Sequence, residues 1–373
     1  MMEGDKVYLS ELEVYQLASD VINSISDDLN RTIYSKLGGK LSISWRENIS
    51  FNASAQILNK LSEAPNHRIT INYGLVKELY RDVVQYHEFA ENINYQPAIL
   101  SLLNSISEMP MLPECFNKKD SINNMFMASL TFIFFHEVGH LMQQHGRVRA
   151  NFLGHFSDDL TINECEVNAS AQLTGKQAAI SHTTELAADF SAITRCIFEL
   201  LRHFSDEKVV GKNHRGIPFL GAVQLFVSGV SCLFYRFRGF ESSHLETVPH
   251  GSHPFPLVRL ELNLPHIYEM LSFPVIDEIV GHGLDRKQLV ELVSRAAYSG
   301  AYFWLVRSGD RSKGIPENYL FKGILNSDES KEYTGCIIQT WDEIEGLIDS
   351  YNLDELPFSK ISFTDQIREL IKS

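Results

Sequence analysis

The chain has few cysteines, and they are poorly placed for structural chemistry. Five thiols, at 115, 165, 196, 232 and 336, are scattered over 373 residues without a CxxC pair. That excludes a disulfide framework and a thiolate zinc site, and it suits reduced, mostly buried thiols in a reducing compartment. Basic charge is also short: 33 Lys and Arg face 47 Asp and Glu, a net charge of −14. A general nucleic-acid binder needs a basic face to displace phosphate counterions, and an acidic surface gives no attraction to anionic lipid. The opening residues, MMEGDKVYLSELEV, lack both a basic start and an apolar core, so no secretory signal is expected. The Asn-x-Ser matches at Asn52 and Asn168 then carry little meaning. Repeats and low-complexity tracts are absent too. These absences describe a cytoplasmic globular protein.

Long apolar runs are rare. The segment 217–235, IPFLGAVQLFVSGVSCLFY, could span a bilayer by length, which makes an inner-membrane location the alternative. Gln224, Ser228 and Ser231 interrupt it, and a core helix apolar on all sides is the preferred reading.

Leu12, Leu17, Val21, Ile25 and Leu29 lie at helical spacing and predict a helix over 9–35. β-like stretches follow at 41–44 and 68–76, the second alternating Ile69, Ile71, Tyr73. Helical pattern returns at 76–90, 99–106 and 121–144, the last expected to stop at Gly146. An irregular polar stretch at 147–182 precedes a helix at 183–204, with Thr183 or Thr184 as N-cap. Further helices are expected at 217–235, 256–272, 286–307, 340–350 and 363–371. The whole predicts a mostly helical α+β chain with a small β element.

Within the fourth helix, over 121–144, stands His136-Glu137-Val138-Gly139-His140. Positions four apart share a helix face, since each residue turns the helix by about 100°. His136 and His140 can therefore offer two imidazole nitrogens to one metal ion. Glu137 lies beside them as a general base for a metal-activated water. The motif follows directly on FIFF, so the turn starts inside the core, where ionisable groups need partners. A third histidine ligand in the pattern HExxHxxGxxH is excluded, because Gln143 and Gly146 occupy the required Gly and His positions. His145 falls one residue short and reads as helix-end surface. Glu185 and Asp189, in ELAADF, fit the other arrangement: Glu185 as third ligand, Asp189 orienting a ligand histidine, and Ala187 and Ala188 allowing close helix approach. His155, Glu164, Glu166 and His182 are the fallback ligands. His253, before Pro254, is either an oxyanion donor or a turn histidine ahead of a helix-starting proline. Arg259 could pair with substrate or with an active-site carboxylate.

In their order, HEVGH, ELAAD and SHPFPLVR resemble the gluzincin peptidases, including the membrane-associated CAAX-type and heat-shock peptidases. A closer resemblance, over about 120–270, is to the Lit family of phage-exclusion peptidases, which also carries a histidine at the place of His145. The stretch between HEVGH and ELAAD is longer here than in that family. The resemblance implies a zincin-like core, while the N- and C-terminal regions have no counterpart in that family. With the helical pattern of the last hundred residues, the chain is expected to hold a peptidase domain over 1–275 and extra C-terminal helices over 276–373. The resemblance also implies a cytoplasmic Zn²⁺ endopeptidase that cuts a specific protein on a phage signal, with His253 and Arg259 in the site. Two alternatives accompany it: a non-catalytic metal-binding regulator on the same fold, and a membrane-embedded peptidase. The strand at 68–76 is expected to offer an edge to an extended substrate.

Overall fold

Ser10 and Glu13 start the first helix with a capping box. The Ser10 side chain accepts from the Glu13 amide, and the Glu13 carboxylate accepts from the Ser10 amide at 2.6 Å. The computed structural model describes residues 7–153, 160–163, 173–205, 215–238, 247–307 and 327–372. Helix α1 (Glu11–Leu29) buries Val14, Ala18, Ile22 and Leu29 and continues as a π-helical turn, Asn30–Tyr34.

The small sheet contains β1 (Lys40–Arg46), β2 (Ala53–Ile57), β3 (Asn66–Asn72) and β4 (Leu160–Asn163), in the order β1-β3-β2-β4. β3 runs parallel to β1 and antiparallel to β2, while β4 pairs antiparallel with β2. The expectation that 68–76 offers a substrate edge is overturned. β3 is hydrogen-bonded on both sides, and the chain is already helical from Tyr73. Buried residues from Ile69 to Asn72 mark it as a central strand. β2 escaped the sequence pattern because ASAQI is small and weakly β-forming.

Helices α2 (Tyr73–Glu91) and α3 (Pro97–Ile106) lead to α4 (Lys118–Met142), capped by the Asn117 side chain on the Asp120 amide at 2.9 Å. Phe126, Leu130, Phe132, Ile133, Phe134 and Phe135 of α4 are all buried, as an element apolar on every face requires. After α5 (His145–Leu153) come α6 (Gly175–Ser205) and α7 (Gly216–Arg238). The chain then forms α8 (Pro256–Leu271), α9 (Pro274–Val280), α10 (Arg286–Arg307), α11 (Asp328–Tyr351) and α12 (Asp365–Lys372).

Part of the expected irregular stretch is therefore ordered: α5, β4 and the start of α6 fall within 147–182. Thr183 and Thr184 are not caps. They lie inside α6, their hydroxyls donating back to Ala179 O and Ile180 O.

The main core joins the sheet to α1, α2, α4, α7, α8 and α10. A second buried cluster sets Ile180, Leu186, Phe255 and Val258 against Tyr333, Ile337 and Trp341 of α11. Both clusters draw on residues from either side of position 275. α4 and α7 are long and apolar enough to cross a bilayer, and 83% of each apolar window is buried within the protein. The polar interruptions of α7 have protein partners. Gln224 Nε2 donates to Pro110 O at 2.6 Å, and Ser228 and Ser231 donate to Ala296 O and Ala297 O of α10.

Helices α7 and α10 touch at Gly300, where an added Cβ would lie 2.6 Å from Ser228 O. A backbone carbonyl inside a helix cannot swing away. Gly300→Val should therefore cost about 1–3 kcal/mol of stability in chemical denaturation; unchanged stability would show that this interface is looser than described.

Candidate metal centre

α4 and α6 approach closely because Gly139 has no side chain. A Cβ there would sit 3.1 Å from Ala188 O and 3.3 Å from Ser191 Cβ. The small Ala187 and Ala188 anticipated on the second helix form the other side of this contact. Helical spacing then turns His136 and His140 toward Glu185 and Asp189.

His136, His140 and Glu185 form a buried group that could hold a metal ion, with one donor atom from each lying within 4.8 Å of the others. The two Nε2 atoms are 2.9 Å apart; His136 Nε2 is 3.2 Å from Glu185 Oε2, and His140 Nε2 is 3.3 Å from Glu185 Oε1. Ligands at about 2.0–2.1 Å from a tetrahedral ion stand about 3.3 Å apart. The observed edges are therefore near those of an ion's donor set.

Proton placement strengthens this fit. His136 Nδ1 lies 2.9 Å from Asp189 Oδ1, so that nitrogen carries the proton. A longer 3.5 Å approach from Arg259 Nη2 to the same nitrogen is outweighed by the carboxylate contact. On the other ligand, His140 Nδ1 is 2.9 Å from His145 Nδ1, and His145 Nε2 is 3.3 Å from Gln143 Oε1. The amide oxygen can only accept, so His145 holds its proton on Nε2 and accepts from His140 Nδ1–H. Both ligand histidines are thereby left with a bare Nε2. Burial holds His140 neutral, its pKa lowered to about 4, and holds His145 well below its usual range. Two imidazole lone pairs and a carboxylate facing one another repel unless a cation lies among them. These residues fit a divalent metal.

His145 is thus not the helix-end surface residue it was expected to be; it is fully buried. The reason is local. α4 ends at Met142 instead of running to Gly146, and Gln144 takes a left-handed conformation at φ 52°. That kink swings His145 back onto His140 where a continuing helix would carry it away. Arg147 Nε donates to Gln144 Oε1 at 2.7 Å, and Gln144 Nε2 contacts His67 Nε2 of β3 at 3.2 Å. The sheet therefore helps to hold the kink. Gly146 serves close packing, since a Cβ there would be 2.8 Å from Leu160 O of β4.

Asp189 is saturated as an acceptor. Arg259 donates to it through Nε at 2.6 Å and Nη2 at 2.8 Å, His136 Nδ1 reaches Oδ1, and Asn263 Nδ2 reaches Oδ2 at 3.4 Å. Asp189 therefore sits behind His136, as anticipated. Arg259 is 1% exposed and packs over Phe234 and Phe237 at 4.7 and 5.2 Å. Of the two partners anticipated for it, the structure places it on the carboxylate.

The turn carrying His253 is tied to the start of α6. Gly251 N donates to Leu173 O at 2.9 Å, and Ser181 Oγ donates to Ser252 O at 2.9 Å. Ser252 Oγ lies 2.6 Å from His253 Nδ1, which leaves Nε2 facing Glu185 Oε2 at 3.5 Å. The helix-starting proline is Pro256, not Pro254. Glu137 is fully buried on the turn between the ligand histidines.

Arg149 of α5 escaped the sequence reading. It donates to Glu185 Oε1 through Nη2 at 2.7 Å and to Thr184 Oγ1 through Nε at 2.8 Å. No spacing rule connects it to Glu185, because the contact depends on the kink at Gln144. Burial works against the charged form of Glu185, and the Arg149 guanidinium beside it favours that form. Of the fallback ligands, His182 is engaged by Tyr333 Oη at 2.6 Å, outside the metal group. His155, Glu164 and Glu166 lie outside the described residues. The described cysteines, 115, 196, 232 and 336, are free thiols, with 196 and 232 buried.

Compared with known proteins, the chain matches no family model, no curated protein and no solved structure.

Glu185→Ala should lose most bound metal by elemental analysis, and unchanged stoichiometry would remove Glu185 from the ligand set. His145→Ala should keep the ligands but weaken metal affinity by about 10–100-fold in chelator competition, the usual cost of losing a ligand's hydrogen-bond partner. Unaltered affinity would show that His145 does not orient His140.

Proposed function

We propose that this protein is a zinc-dependent endopeptidase of the gluzincin type. The observation that carries the reading is the pair of bare Nε2 atoms on His136 and His140 facing the Glu185 carboxylate, with Glu137 on the same turn of α4. A histidine–histidine–glutamate set matches the donor preference of catalytic zinc, which supplies Lewis acidity and lowers the pKa of water toward about 7.

The chain's own residues then divide the work. Glu137 accepts the proton of the attacking water and returns it to the leaving amine. His253, with Nε2 turned toward the centre, donates to the oxyanion that forms at the scissile carbonyl. Asp189 fixes the His136 tautomer, and Arg259 fixes Asp189. His145 and Gln143 do the same for His140. Arg149 offsets part of the Glu185 charge, which leaves the centre more electrophilic toward a carbonyl. Leu160 of β4 packs on Gly146, so this outer strand lies beside the site and is the strand to which an extended peptide would add.

The order of HEVGH, ELAAD and HPFPLVR supports a Lit-like phage-exclusion role for the peptidase, acting on one cellular protein in the cytoplasm. Glu137→Gln should keep its metal and lose cleavage by at least about 100-fold, the scale of a lost general base. Comparing the proteomes of cells expressing wild type or Glu137→Gln, with and without phage, should reveal a fragment made only by the wild type. Identical fragment profiles under both conditions would overturn the peptidase reading in favour of a metal-binding regulator.

A further inference from the structure

A cavity of about 490 Å³, lined by none of the residues of the candidate metal centre, opens between α6, α8 and the segment leading into α12. Its size lies in the range of small-molecule sites. Aromatic rings line it. Phe190 stacks on His266 with centroids 4.0 Å apart and planes at 14°, and Phe273 lies 4.8 Å from Phe358.

Phe358 is unusual in two respects. It lines the cavity yet is 57% exposed, and its backbone is left-handed at φ 62°, a conformation costly for a bulky residue. A specific contact holds it there: Thr194 Oγ1 donates to Phe358 O at 2.8 Å, while lying 2.8 Å from His266 Nε2. This contact ties the left-handed Phe358 backbone to α6 beside the cavity.

The charge of the lining is one-sided. Glu261 and Glu269 contribute to it, and among the described lining residues no Lys or Arg does. Glu269 is matched on its outer flank by Arg286. Glu261 accepts from Tyr298 Oη, a neutral partner. Burial pushes the Glu261 carboxyl up to about 6, as expected for an acid short of positive charge. Burial also lowers His266 to about 4, so it adds no cation near neutral pH.

We propose that this cavity binds an amphipathic organic monocation, with its apolar body among Phe190, Phe273 and Phe358 and its ammonium group at Glu261. Ring faces and a carboxylate both attract an alkylammonium group. A fatty-acid anion would set like charges together, and a neutral molecule would leave Glu261 without a cation. This site is separate from the metal centre and does not depend on the peptidase reading.

The test is calorimetric titration of the full chain with octylammonium, octanol and octanoate, which share one tail and differ in charge. Octylammonium should bind at least about tenfold tighter than octanol, with octanoate weakest. Glu261→Gln should bring octylammonium to the level of octanol while tail binding persists. Ser362→Trp, at an exposed lining position, should fill the mouth and weaken all three without unfolding the chain, as checked by circular dichroism. Equal affinity for the three probes, or no saturable binding, would overturn the proposal. So would an ammonium preference that survives Glu261→Gln, or binding indifferent to Ser362→Trp.

Discussion

His136 Nε2, His140 Nε2 and the Glu185 carboxylate meet in a space almost closed to solvent, and their tautomers leave no imidazole proton between them. Burial beneath the flanking FIFF and ELAAD segments weakens the relief that bulk solvent would give. The arrangement is tolerable only with a cation at its centre or with strong support behind each ligand. Much of the surrounding structure supplies that support, from Asp189 and Arg259 behind one histidine to His145 and Gln143 behind the other.

The supports differ in kind. Asp189 is held by a bidentate guanidinium that lies over two phenylalanine rings, so both the charge and its partner are dry. Removing one member of such a buried pair typically costs about 3–5 kcal/mol, because the other charge is stranded. His140 has a neutral support instead, an imidazole backed by an amide, which sets a tautomer without adding charge. One ligand thus faces an anion and the other does not, so the two should differ in basicity. That asymmetry comes from the kink at Gln144, and the kink is itself pinned by Arg147 and by His67 from the sheet.

Much of the frame was legible in the sequence. Helical spacing located α1, α4, α7, α8 and α10 to within a few residues, because each carries a long apolar pattern. HEVGH and ELAAD contain the three members of the buried group that could hold a metal, and the pairing of its two histidines follows from i,i+4 placement, a strictly local property. α6 begins about two turns earlier than expected because Thr183 and Thr184 return their hydroxyls to the helix backbone. β2 is built of small residues and β4 is only four residues long, so neither announces itself and the central position of β3 could not be foreseen.

HEVGH alone established that two imidazoles share one helix face with a carboxylate between them, because helix geometry requires it. Which nitrogen of each imidazole is bare, and what holds it so, was decided only in three dimensions. His145 reaches His140 because Gln144 turns left-handed, Arg149 reaches Glu185 across 36 residues of chain, and Arg259 reaches Asp189 across 70. The ligands follow from periodicity, which a sequence displays directly. Their protonation and charge balance follow from contacts between distant segments, which only packing can bring together.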